Sequence, residues 1–144
     1  MSYSFSVIVS TFNSELWLHK VLIGFNNQTY KDFELIVADD GSNHKTRDLI
    51  EKIKHNVFYK LTHVWQPDHG FQKTIILNKA LLKSKNVEIE EFDIWKDPAK
   101  AKEMLQRTNG ARSIPQIFIG DHYIGGNEQL QNANRSGELD KLLA

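Results

Sequence analysis

The chain has 144 residues, and its 18 basic and 18 acidic side chains cancel to a formal net charge of zero, so no electrostatic footprint for nucleic acid is expected. It has no cysteine, which excludes disulfides, thiolate metal sites and thiol chemistry by its own side chains. Hydrophobic residues make up 40% of it, enough for a core, yet no apolar run nears the roughly 20 residues of a membrane span. Met1 to Val9 is too short and polar for a signal peptide. A cytoplasmic protein without cofactor, membrane or nucleic-acid partner is the expectation.

Phe5 to Ser10 is an apolar run around Val7, Ile8 and Val9, which suits a strand covered on both faces. Thr11 to Ser14 is a polar turn, and Ser14 is a candidate helix cap. Leu16, Trp17, Val21, Leu22 and Phe25 recur at helical spacing and predict a helix with Trp17 in its core. Phe33 to Ala38 is the second strand, closed by Asp39-Asp40-Gly41-Ser42. Leu49, Ile50 and Ile53 mark the second helix. Phe58 to Trp65 reads as a third strand. Pro67 to Gly70 is a turn, and Ile75 to Leu82 belongs to a third helix.

Three strand–helix units in a row predict an α/β fold. Its parallel strands should stand in spatial order 3-2-1 with right-handed crossovers. Ligands in such sheets bind at the carboxyl ends of the strands. Thr11 to Asn13 and Asp39 to Ser42 sit at two of those ends. Beyond Lys85 the pattern changes. Val87 to Ile94 alternates apolar with acidic residues and predicts a half-exposed fourth strand. Asp97 and Pro98 are a cap and first residue of a helix that Asn109-Gly110 ends. Gln116 to Gly120 and His122 to Ile124 form a hairpin around Gly120-Asp121. A last helix opens at Gly125-Gly126-Asn127 and breaks at Ser136-Gly137. Trp65 and Trp95 are expected to be half-buried. The six histidines show no ligand spacing, so no metal site is expected.

Residues 4–84 resemble family 2 glycosyltransferases of the Rossmann-like type. The resemblance rests on Ser6-Val-Ile-Val-Ser-Thr-Phe-Asn13, Phe33-Glu-Leu-Ile-Val-Ala-Asp-Asp-Gly-Ser42 and His69-Gly-Phe-Gln-Lys73 with Leu77-Asn-Lys-Ala80. It implies that Thr11, Phe12 and Asn13 face the base and ribose of a sugar-nucleotide donor. One of Asp39 and Asp40 would accept a hydrogen bond from a uracil-like base edge. Asp-Asp-Gly-Ser is also ordinary turn chemistry. The family's Asp-x-Asp motif, which holds the divalent metal on the donor diphosphate, occurs nowhere in this chain. Without it, and without an acceptor half carrying a base, glycosyl transfer is not expected.

Residues 79–144 resemble the rear of a glutaredoxin. The match runs from Lys79-Ala-Leu-Leu82 through Ile94, through Arg112-Ser-Ile-Pro-Gln-Ile-Phe-Ile-Gly-Asp-His-Tyr-Ile-Gly-Gly126, to Arg135-Ser-Gly-Glu-Leu-Asp-Lys-Leu-Leu143. It implies a cis peptide at Ile114-Pro115 and a glutathione site. The Ile114 backbone would pair with the glutathione cysteine, and the helix start at Gly126, Asn127 and Glu128 would attract its γ-glutamyl end. Gly125-Gly126-Asn127 also reads as a plain turn and cap. The nucleophilic cysteine of that family would fall near Gln72, and an amide cannot exchange disulfides.

The resemblances together imply one three-layer α/β domain over residues 1–144, with a mixed sheet. A Rossmann-like half, 1–84, and a thioredoxin/glutaredoxin-like half, 79–144, overlap in a shared helix. The implied protein is an engineered chimaera with no intact catalytic site. Residual binding of a uridine-type nucleotide, or of glutathione, stays open beside that reading. The fourth strand would lie beside the first in the glycosyltransferase pattern and beside the third in the glutaredoxin pattern, a local–global conflict. A monomer and an edge-strand or domain-swapped dimer are both compatible with it.

Overall fold

The structure, a computed structural model, describes residues 3–144. It divides into two compact units, one ending at Ser84 and the other spanning Lys85–Ala144. The boundary falls at the end of the segment where the two expected halves overlap.

The first unit contains β1 (Phe5–Thr11), α1 (Glu15–Asn26), β2 (Phe33–Asp39), α2 (His44–Lys54), β3 (Lys60–Trp65) and α3 (Lys73–Ser84). The strands pair in parallel in the expected order, with β2 central. Alternate β2 residues face opposite ways, and both faces are covered. Leu18 and Leu22 of α1 and Ile50 and Ile53 of α2 pack with Phe33, Leu35 and Val37 on one face. Ile76 and Ala80 of α3 pack with Ile36 and Ala38 on the other. Every residue of β2 is therefore buried, which is why Leu35 to Ala38 at its centre is a continuous apolar run. Each buried Leu or Ile contributes about 1.5–3 kcal/mol.

Two local expectations are corrected here. Ser14 does not cap α1 with its side chain; its hydroxyl donates to the Phe12 carbonyl instead. Trp17 is 70% exposed, because Leu18 and Leu22 carry the buried stripe and α2 flanks α1 on the side of Glu15, which accepts from the Thr46 hydroxyl at 3.3 Å.

The second unit contains α4 (Pro98–Arg107), β4 (Ile117–Ile119), β5 (His122–Gly125), α5 (Asn127–Ser136) and α6 (Glu138–Leu143). The Asp97 carboxylate caps α4, accepting from the Ala99 and Lys100 amides at 3.0 Å each. Gly137, at φ 74°, separates α5 from α6. Leu130 and Leu139 are its fully buried anchors. The expected fourth strand is absent: 87–94 is irregular, and Ile89 and Phe92 are exposed. A strand exists only by pairing with another edge, and this segment joins neither sheet of the described residues. Trp95, which that strand would have helped to bury, is 83% exposed. The antiparallel β4–β5 hairpin forms a sheet of its own, so the strands make two sheets where one mixed sheet was expected.

Candidate functional site

The carboxyl ends of the three parallel strands lie level, with Thr11 beside Asp39 and Asp39 beside Trp65. The ladder continues one step further, since the Asp40 amide donates to the Thr11 carbonyl and the Gln66 amide to the Asp39 carbonyl. The chain then turns at Gly41, whose φ is 96° and whose added Cβ would stand 2.6 Å from the Asp68 Cα. Only glycine fits both the conformation and the approach. The turn brings Ser42 back, so that its amide donates to Asp39 Oδ1 at 2.8 Å. The Ser42 hydroxyl accepts from the Asn13 amide at 2.8 Å, and Asn13 Oδ1 accepts from the Asn43 amide at 2.9 Å. The two turns singled out in the sequence are thus tied together.

Both carboxylates are engaged by the protein itself. Asp39 is fully buried, and its Oδ2 lies 2.8 Å from His63 Nε2. Burial pushes the Asp39 carboxyl up, but hydrogen bonds from His63 and Ser42 outweigh it and hold the group below its ordinary value. Asp40 accepts from Gln66 Nε2 at 2.6 Å and from the Gln72 amide, just before α3, at 2.9 Å. Each of the four carboxylate oxygens thus already has one internal partner, and both side chains are buried. Phe12 is half-exposed. Two buried oxygens at the strand ends, Thr11 Oγ1 and Gln66 Oε1, have no hydrogen-bond partner. His63 and Gln66 were not singled out from the sequence, and Gln72 only as the position where a glutaredoxin would carry its cysteine. The signal that finds His63 and Gln66 is the parallel β2–β3 register, which sets Val37 against His63 and Asp39 against Trp65.

In the second unit, Ile114-Pro115 is a cis peptide as the resemblance implied, and Ile114 is 52% exposed. Gly126 caps α5 and lies against Pro115, whose carbonyl oxygen would be 3.4 Å from an added Cβ. The fold therefore gathers Ile114, Pro115 and the α5 start, where Asn127 and Glu128 follow. Gly125, at φ 112°, leaves room for the Gln129 side chain, whose Oε1 accepts the Gly126 amide at 3.0 Å. That contact uses one of the N–H groups expected to receive a ligand.

Residues 6–86 match the family described as glycosyl transferase family 2, and residues 78–124 match glutaredoxin. Glutaredoxin 3 of Escherichia coli (strain K12) is 45% identical over 65 residues, 45% of this chain and 77% of its own length. The chain belongs to glycosyl transferase family 2 through its first half and to the glutaredoxins through its second. A Synechocystis protein named a probable glutaredoxin is 47% identical over 64 residues, covering 44% of this chain and 73% of its own. Glutaredoxin 1 of Rickettsia typhi is 41% identical over 66 residues, 45% of this chain and 64% of its own. The two family matches overlap at residues 78–86, which takes in the last two turns of α3, so this chimaera joins its families inside one helix.

The divalent metal that glycosyl transferase family 2 implies does not fit the residues present. Asp39 and Asp40 already accept N–H donors, and among the described residues no three His, Asp or Glu side chains converge as a ligand set.

Proposed function

We propose that this chain is an engineered chimaeric scaffold with no catalytic activity, in which the acidic turn of its glycosyltransferase-like half serves the fold. The observation that carries this reading is the engagement of both carboxylates by internal donors: Ser42 and His63 on Asp39, Gln66 and Gln72 on Asp40. They fasten the ends of β2 and β3 and the start of α3 to one another. The join inside a shared helix supports an engineered origin, because natural fusions tend to keep whole domains. The sequence has no cysteine and no Asp-x-Asp, so the groups that perform thiol exchange and diphosphate activation in these families have no counterpart here. Two assays test it: hydrolysis of a uridine-diphosphate sugar with manganese, and glutathione-dependent disulfide reduction. Both are expected at background. Turnover that vanishes in Asp39→Asn would overturn the reading.

Residual nucleotide binding is a second reading, favoured by the unpartnered Thr11 Oγ1 and Gln66 Oε1 at the strand ends. Buried polar atoms of this kind are costly unless something satisfies them. Uridine diphosphate would then shift amide NMR peaks of Thr11, Asn13 and Asp39, whereas a silent spectrum removes this reading. Glutathione binding is favoured by the packing of Gly126 on Pro115 beside exposed Ile114. It predicts that glutathione raises the melting temperature.

A further inference from the structure

The outer edge of β1 has no strand beside it among the described residues. The two edges of the parallel sheet are unlike. At the far edge, β3 carries Lys60 and His63, charged or polar residues that discourage pairing. β1 is Phe-Ser-Val-Ile-Val-Ser-Thr, seven residues with no charge and no proline. Phe5, Ser6 and Ser10 are exposed, and Val7, Ile8 and Val9 are only half-buried, whereas all of β2 is buried. A long, uncharged edge is a template for another strand.

The β1 sequence also says which strand. Ser6-Val7-Ile8-Val9-Ser10 reads the same in both directions. An antiparallel pairing of two copies centred on Ile8 sets Ile8 opposite Ile8, Val7 opposite Val9 and Ser6 opposite Ser10. Each residue then meets one of its own kind on the same face of the sheet. The pairing is isologous, as a twofold dimer requires.

The helix above agrees. The Glu15 flank of α1 is held to α2 through Thr46. At about 100° per residue, Trp17 and Val21 fall on the other flank, toward the outer side of β1. They are 70% and 38% exposed. Trp17, whose ring carries the Lys20 ammonium at 4.5 Å, still leaves apolar surface on that flank that a second copy would bury. The zero net charge of the chain offers no long-range repulsion between copies.

We propose that β1 is a self-association edge, through which two copies of this chain join their sheets into one six-stranded sheet with Ile8 at the twofold axis. Sedimentation velocity of the intact chain, from micromolar to millimolar concentration, is expected to show a monomer–dimer equilibrium. Because the chain has no cysteine, single introduced thiols report the register. Ile8→Cys places two thiols opposite each other, with Cα atoms roughly 4.5–5.5 Å apart, within disulfide reach. Ser10→Cys places them about four residues apart along the strands, roughly 13 Å, beyond that reach. Ile8→Cys is expected to oxidise to a covalent dimer at least about tenfold faster than Ser10→Cys. A second pair keeps the test independent of any local effect at Ile8. Ser6→Lys with Ser10→Lys, and Ser6→Glu with Ser10→Glu, should each give monomers, and their equimolar mixture should dimerise. Equal oxidation rates, a wild-type monomer at millimolar concentration, or a mixture that stays monomeric would overturn the proposal.

Discussion

Asp39→Ala removes one carboxylate that two buried groups depend on. The Ser42 amide loses its acceptor at 2.8 Å, and His63 Nε2 loses its partner at the same distance. Asp39 and His63 are 1% and 12% exposed at their side chains, so water replaces neither contact without disturbing the turn. Each orphaned donor costs about 1–3 kcal/mol, and breaking a buried pair by deleting one partner costs about 3–5 kcal/mol. A loss of about 3 kcal/mol is expected. Asp39→Asn keeps an acceptor for Ser42 and offers an N–H to the neutral tautomer of His63, so its loss should be about half as large. With m near 1–3 kcal/mol per molar urea, Asp39→Ala should lower the midpoint by about 1 M or more at unchanged m, read by circular dichroism. The pH dependence adds a second reading. The folded Asp39 carboxyl lies below its ordinary value of 3.8. Its stabilisation is therefore fully present above that value and lost as pH falls through the lower folded value. The gap between wild type and Asp39→Ala should narrow below pH 3.8. A loss under about 1 kcal/mol at pH 7, far short of one orphaned buried pair, or a gap that persists unchanged in acid, would refute the structural role given to Asp39.

Gly41→Ala should destabilise by about 2 kcal/mol or more in thermal unfolding, because the left-handed conformation disfavours a side chain and its Cβ would collide with the Asp68 backbone at 2.6 Å. The Tyr59 hydroxyl donates to the Leu22 carbonyl at 2.8 Å, and burial pushes its pKa up to about 12. It therefore contributes stability that is full below pH 10 and lost as pH rises toward 12; ultraviolet titration should show a tyrosine step near pH 12, and Tyr59→Phe should remove it. Asp97→Ala should cost about 1 kcal/mol, seen as lower helicity and melting temperature, since its carboxylate caps two amides of α4.

Most elements were legible along the chain because their causes are local. The apolar runs of β1 and β2, the Asp97-Pro98 start of α4 and the break at Gly137 all depend on residues within a turn or two of one another. The resemblance of each half was legible for the same reason, since it rests on contiguous motifs. Trp17 was misplaced because helical spacing reveals which residues share a stripe, and only neighbouring elements decide which stripe is covered.

Element order, parallel strand order, the absence of a thiol and the two family likenesses can all be read along the chain. Tertiary structure alone decided three things. It kept 87–94 out of both sheets among the described residues, because alternation makes a segment suitable for a sheet edge but supplies no edge. It gave Asp39 and Asp40 to His63, Gln66 and Gln72, residues 24 to 32 positions away, because only the β2–β3 register and the start of α3 bring those donors to the turn. It also made β1 an outer strand, since a strand's two hydrogen-bonding edges look alike in sequence and differ only by what lies beside them.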